Sequence, residues 1–404
     1  MLFLCIVRNF TFSFLQSSLS STKSLGLHKH DNCGFSPLFM AHEEERMLQN
    51  KAISSILDIA SAHFTSQALY SFVNLGVPDI LKEEAKSIDG IVASLSRKYN
   101  TQNINRDAIL RIFKLLVKAD ILEHKKSGDI DIFNLTIDIG TFLRTDIKNR
   151  PSLAPAVYHW LEKPLFASWL EVSTYIKDSK KSPFELANAI SSDFYYGDKH
   201  LDSLKYANDF VRFISDREID DIVENYPWTR FKGRRILDIG GYNGKVLEAI
   251  AKKVGIGTTY LCLDLPEVID GIPTSSSIVT FVKGDILDEA SIPDADVILM
   301  KHFLDRCMWD EDQTIQILKT CFAKIPDDGK VILAEAVIPD FEDVKDSPSI
   351  EVSLDALYMI VGRERQRTRS EWRHLIQASG FNIEEIVRTS SPTCSLLLLS
   401  KKHQ

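Results

Sequence analysis

Apolar residues change their period along the chain. Between residues 48 and 145 they recur at helical spacing, with Ile53, Ile56, Leu57, Ile59 and Ala60 first, then a segment from Ala68 to Val77 with a glycine stop at Gly76. Arg106 to Leu116 repeats the helical pattern, and two short runs follow it, Ile121-Leu122-Glu123 and Ile130-Asp131-Ile132-Phe133, around the polar turn Lys125-Lys126-Ser127-Gly128. Helices followed by such a hairpin predict a winged-helix-like shape. From residue 216 onward the pattern differs. Short β-branched runs alternate with amphipathic segments: residues 236–239, 260–264, 278–282, 296–300 and 330–335. That alternation predicts an α/β fold with a doubly wound, largely parallel sheet. Residues 146–215 read as a helical connector, and no internal repeat or low-complexity linker interrupts the chain.

The first of these strands runs into Asp238-Ile239-Gly240-Gly241-Tyr242-Asn243-Gly244, and Val246-Leu247-Glu248-Ala249-Ile250-Ala251 continues at helical spacing. Glycines at a strand-to-helix turn let backbone approach a ligand closely. The next strand ends in Asp264-Leu265, where a carboxylate can grip a ribose diol. A third leads into Gly284-Asp285-Ile286-Leu287, which puts another acid at the sheet edge, in reach of an adenine amino group. No Lys-Ser/Thr follows the glycines to hold a pyrophosphate, and no further glycine completes a dinucleotide pattern. The expected ligand therefore has a ribose and a base but no phosphates.

Composition narrows the picture. At 404 residues and 44% hydrophobic content the chain can bury two cores. A net charge of −8, from 48 basic and 56 acidic residues, with no basic stripe, disfavours nucleic acid as a partner. Six scattered cysteines without a CxxC pair suggest neither a metal site nor a disulfide scaffold, and point to a reducing compartment. The first thirty residues carry Arg8, Lys23 and Lys29, many serines and no acid, which reads as an organelle presequence within residues 1–40, mitochondrial or plastid. Met40, followed by Ala41-His42-Glu43-Glu44-Glu45, reads equally well as an ordinary cytoplasmic start. No apolar run is long enough to span a membrane.

These motifs resemble those of the plant- and bacterial-type small-molecule O-methyltransferases. Asp264-Leu265-Pro266-Glu267-Val268-Ile269, Gly284-Asp285, Pro326-Asp327-Asp328-Gly329-Lys330-Val331, Glu335-Ala336-Val337-Ile338-Pro339, Gly362-Arg363-Glu364-Arg365 and Ala378-Ser379-Gly380-Phe381 stand in the family's order, over residues 48 to 400. The resemblance implies a Rossmann-like methyltransferase domain at 216–404, behind an N-terminal helical domain that makes a homodimer through residues 48–145. It implies S-adenosyl-L-methionine as cofactor, with Asp264 on the ribose, Asp285 near the adenine, and Gly240, Gly241 and Gly244 around the methionine part. It also adds Asp238, Leu265, Ile286 and Lys301 to the cofactor set.

One segment departs from the family, Met300-Lys301-His302-Phe303-Leu304-Asp305-Arg306-Cys307-Met308-Trp309. Similar proteins carry a His-Asp-Trp there, with the histidine as general base. Here Asp305 and Arg306 stand in the place of the His-Asp pair and two extra residues precede Trp309. His302, one turn earlier, reads as a buried, hydrogen-bonded imidazole near the substrate. Without the histidine a phenol, with a pKa near 10, lacks its usual proton acceptor. A thioether has no proton to lose, and Arg306 offers a fork for a carboxylate. The expectation is S-methylation of 4-methylthio-2-hydroxybutyrate, as in the similar S-methyltransferases of dimethylsulfoniopropionate synthesis. The alternatives are O-methylation of a phenol or polyketide with Asp305 as base, and cofactor binding without methyl transfer. The resemblance puts Tyr158, His159 and Asp355 on the acceptor wall.

Overall fold

The computed structural model describes residues 37–82, 84–145, 151–272, 276–305, 309–362, 366–391 and 393–402, with side chains from Glu45 onward except at 198, 199 and 349. Of the expected presequence only residues 37–40 are among these. The chain divides into two units, one ending at Lys163 and the other beginning at Pro164.

In the first unit, helices α1 (Pro37–Asn74), α2 (Ile88–Tyr99) and α3 (Arg106–Lys118) precede a small antiparallel sheet in the order β1-β3-β2, made of β1 (Lys86–Ser87), β2 (Leu122–Ser127) and β3 (Ile130–Leu135). Side-chain oxygens start the helices: Ser87 accepts from Gly90 N–H ahead of α2, and Asn105 accepts from Ala108 N–H ahead of α3. Phe113 packs edge-on against both Phe72 and Phe133, which joins helices to hairpin. The expected helices and hairpin are present, but three of the four residues of the polar turn signal belong to β2. Lys125, Lys126 and Ser127 pair with Ile132, Asp131 and Ile130, and the chain reverses at Gly128.

Helix α4 (Ala154–Leu161) belongs to this unit, because Ala154 and Val157 enter its core. The expected connector 146–215 is therefore not a unit of its own; the division at Lys163 and Pro164 cuts through it.

The second unit begins with short helices and the long α5 (Leu201–Glu224). Then follow β4 (Arg235–Ile239), α6 (Lys245–Val254), β5 (Thr259–Asp264), α7 (Pro266–Asp270), β6 (Val279–Lys283), β7 (Val297–Lys301), α8 (Glu311–Lys324), β8 (Lys330–Glu335), α9 (Ser349–Val361), α10 (Arg369–Ala378), β9 (Phe381–Arg388) and β10 (Ser395–Lys401). The sheet order is β6-β5-β4-β7-β8-β10-β9; the first five strands are parallel, and β10 runs antiparallel to both its neighbours.

Both faces are covered, as the unbroken apolar runs require. Ile236, Val297 and Leu299 pack with Leu247 and Ile250 of α6; Leu237, Ile298 and Met300 pack on the other face with Ile317 and Leu318 of α8. Burying each such side chain contributes roughly 1.5–3 kcal/mol. Among the described residues no helix is long and apolar enough to cross a membrane. The strand order reverses at β4, between β5 and β7, and in such sheets a ligand site opens at the carboxyl ends there.

Candidate active site

Gly240 leaves β4 with φ +72°, and its N–H donates to the Leu263 carbonyl at 2.8 Å. A Cβ at Gly240 would lie 2.4 Å from the Phe303 ring, and one at Gly241 would lie 2.6 Å from Asp238 Oδ2 and 2.8 Å from Cys262 Sγ. Gly244, also left-handed, caps the start of α6. Between them Tyr242 takes φ 51°, a conformation costly for a residue with a side chain. Its N–H is held by Asp264 Oδ2 at 3.0 Å, while Asp264 Oδ1 accepts from Leu265 N–H at 2.9 Å. The acid that ends β5 thus also shapes the glycine turn.

Asp238 is buried on β4, and neither of its carboxylate oxygens has a hydrogen-bond partner. Burial pushes its carboxyl up to about 7; the Lys301 charge opposes that rise and Asp264 adds to it. A buried acid without a donor, beside backbone stripped of Cβ atoms, fits a ligand that brings a cationic group close to the turn. Leu265 and Asp285 are exposed at the ends of the neighbouring strands, and Ile286 is buried beside Asp285. Asp285 Oδ1 accepts from Leu287 N–H at 3.0 Å, which fixes its loop. The glycines and acids expected to hold S-adenosylmethionine are therefore gathered along one edge of the sheet.

A second group of residues lies at the end of β7. Lys301 Nζ stands 2.7 Å from Glu218 Oε2 and donates to Ser215 Oγ at 3.2 Å. His302 is buried with φ 48°, its Nε2 3.0 Å from Glu218 Oε1 and its Nδ1 3.1 Å from Asp305 Oδ2. Thr393 Oγ1 donates to Glu218 Oε1 at 2.6 Å. Glu335 Oε1 accepts from the N–H groups of Phe303 and Leu304 at 3.0 and 2.8 Å. Its carboxyl is held well above the usual range, first by burial and then by the neighbouring Asp305. Arg367 donates to the carbonyls of Leu304 and Trp309 and to Thr314 Oγ1, closing the turn from outside.

The structure gives several of the expected site residues partners of their own. Asp305 faces inward to His302, with its side chain only 2% exposed; a carboxylate so buried needs hydrogen-bonding partners, and the imidazole is one of them. His302 is a buried, hydrogen-bonded imidazole, as the sequence suggested. Arg306 lies outside the described residues. Of the two residues expected on the acceptor wall, the half-buried Tyr158 donates its hydroxyl to the Val73 carbonyl at 3.0 Å, and His159 is buried with Nδ1 3.7 Å from Glu162 Oε1. Asp355 on α9 accepts from Gln366 N–H at 2.9 Å. Glu218 escapes the sequence reading, although a signal exists. It falls in register with Ile214 and Ile222, an acid on the buried stripe of α5.

Residues 169–382 match the family model of the O-methyltransferase domain. The chain is 26% identical over 345 residues to chavicol O-methyltransferase of Ocimum basilicum, covering 83% of this chain and 91% of that one. It is 29% identical over 339 residues to (iso)eugenol O-methyltransferase of Clarkia breweri, covering 80% and 88%. The S-adenosylhomocysteine-bound CalO1, a methyltransferase of calicheamicin biosynthesis, superposes with a TM-score of 0.69 at 22% identity, over 87% of this chain and 98% of its own. With the family model matched across the strands and turns that build the cofactor edge, the chain belongs to the O-methyltransferase domain family and is an S-adenosylmethionine-dependent methyltransferase.

Proposed function

We propose that the protein methylates an oxygen of a small phenolic or polyketide-like acceptor. The observation that carries this reading is the buried pair Asp305 and Glu335, within 4.8 Å of each other and of His302, with Asp305 in the sequence position where similar proteins carry their base. Burial first, and the neighbouring Asp305 after it, hold the Glu335 carboxyl well above the usual range. A carboxylate so placed is a stronger base than an exposed one. A positioned base contributes about 10²- to 10⁴-fold to the transfer.

Bound S-adenosylmethionine supplies an electrophilic methyl group. The chain's own part is to hold it through Asp238, Asp264, Asp285 and the glycine turn, and to receive the hydroxyl proton. The named relatives are O-methyltransferases, which favours oxygen over the thioether expected from the missing histidine.

One observation favours the second reading, transfer to a thioether sulfur. Asp305 and Glu335 have side chains only 2% and 0% exposed, and a neutral sulfur needs no proton acceptor, only alignment. The two readings separate on Asp305→Asn. For an oxygen acceptor the variant loses about 10²-fold or more in kcat; for a thioether it keeps kcat.

We further propose a homodimer formed through the first unit. Ile53, Ile56, Ile59 and Phe64 on α1 are each more than half exposed, an apolar surface that a second copy would cover.

A further inference from the structure

Two large apolar side chains flank the carboxylate that ends β5. Asp264 Oδ2 accepts from the Tyr242 N–H at 3.0 Å and Oδ1 from the Leu265 N–H at 2.9 Å, so one acid fixes the backbone of both residues. Tyr242 is nevertheless 48% exposed and Leu265 39%, and neither belongs to either core of this unit. Among the described residues the Tyr242 hydroxyl makes no hydrogen bond and its ring stacks on no other ring.

The backbone makes a tyrosine unexpected here. Tyr242 sits at φ 51°, in the left-handed region where a β-carbon is costly and glycine is at ease. Gly240 and Gly244, two residues to either side, take the same region at φ 72° and 71°. A ring kept in such a conformation and joined to no core adds nothing that the fold needs, and strain of this kind points toward a ligand. The acid beside it can grip a ribose diol.

We infer that Tyr242 is a cofactor-binding residue, resting on the placement of the ribose at Asp264, and that its ring completes with Leu265 an apolar cover over bound S-adenosylmethionine at that acid. The ring shields the hydrogen bonds between carboxylate and diol from water, and these strengthen as the local dielectric falls. Its apolar face lies against the nucleoside while the hydroxyl stays wet, the division of labour a tyrosine allows. The burial that the fold leaves unused at this side chain is gained when the cofactor binds.

Calorimetry with S-adenosylmethionine and urea unfolding of the ligand-free full chain together test this. Tyr242→Gly should bind S-adenosylmethionine roughly tenfold more weakly, the scale of losing one aromatic face against a nucleoside. Its unfolding midpoint should stay at or above that of the parent, because glycine relieves the left-handed backbone. Tyr242→Phe keeps the ring and should bind within about twofold of the parent. A Tyr242→Gly chain that binds as the parent does, while Asp264→Ala weakens binding, overturns the inference. Equal binding by the parent, Tyr242→Gly and Asp264→Ala instead removes the cofactor from Asp264, and the inference falls with that placement. A Tyr242→Gly chain that is less stable than the parent or fails to fold overturns it by showing the tyrosine to be structural. A loss in Tyr242→Phe as large as in Tyr242→Gly overturns it by moving the contact from ring to hydroxyl.

Discussion

The Lys301 ammonium lies 2.7 Å from Glu218 Oε2, and the same positive charge opposes the upward shift of Asp238. One lysine thus links the buried cluster at the end of β7 to the acid of the glycine turn. Substitutions in either place should be felt in both.

Asp238 gives a pH signature. Its carboxyl rises from 3.8 to about 7 on folding, so between those values the folded chain holds more proton than the unfolded one. Stability contributed by this group is complete below 3.8 and is lost as pH rises through about 7. Asp238→Asn should match the parent in acid and exceed it above neutrality by about 1 to 4 kcal/mol in urea unfolding. A gap that does not change with pH would refute the assignment.

Gly241→Ala should be more harmful than an ordinary surface change. Its new Cβ would stand 2.6 Å from Asp238 Oδ2 and 2.8 Å from Cys262 Sγ, and both neighbours are buried. Overpacking of this kind costs about 1 to 3 kcal/mol. Chemical denaturation should report that loss together with weaker cofactor binding; a variant equal to the parent in both would show that the turn is looser than described.

Asp264→Ala removes the acceptor for the Tyr242 and Leu265 N–H groups as well as the expected ribose partner. Calorimetric affinity for S-adenosylmethionine should fall by roughly 1 to 3 kcal/mol. Unchanged affinity would remove Asp264 from the cofactor site.

The cofactor edge was legible because its signals are local. Gly240, Gly241 and Gly244 follow a buried strand directly, and Asp264 and Asp285 each close or follow one, so period and punctuation alone place them. The cluster at the end of β7 was not legible in the same way. Glu218 stands 84 residues from His302 and meets it only once α5 lies against the sheet. Asp305 was read as a base without its contact to His302, because sequence position says nothing about which way a turn directs a side chain. Strands β9 and β10 also passed unread. The first alternates half-heartedly between buried and exposed residues, and neither is followed by a glycine or acid that marks a site.

The exposed α1 residues carry an assembly prediction. Sedimentation at micromolar concentration should give a dimer, with an interface of about 2,000 Å² or more if it is permanent. Ile56→Asp with Ile59→Asp should shift it toward monomer. A parent chain that sediments only as monomer would contradict the proposed homodimer.

Methyl transfer from S-adenosylmethionine to oxygen is open to a competition experiment. The full chain is given methyl-labelled S-adenosylmethionine with a panel of phenols and 4-methylthio-2-hydroxybutyrate in one vessel, and the products are read by mass spectrometry. The account expects the label on a phenolic oxygen, with S-adenosylhomocysteine formed in equal amount. Label found on sulfur alone would contradict it.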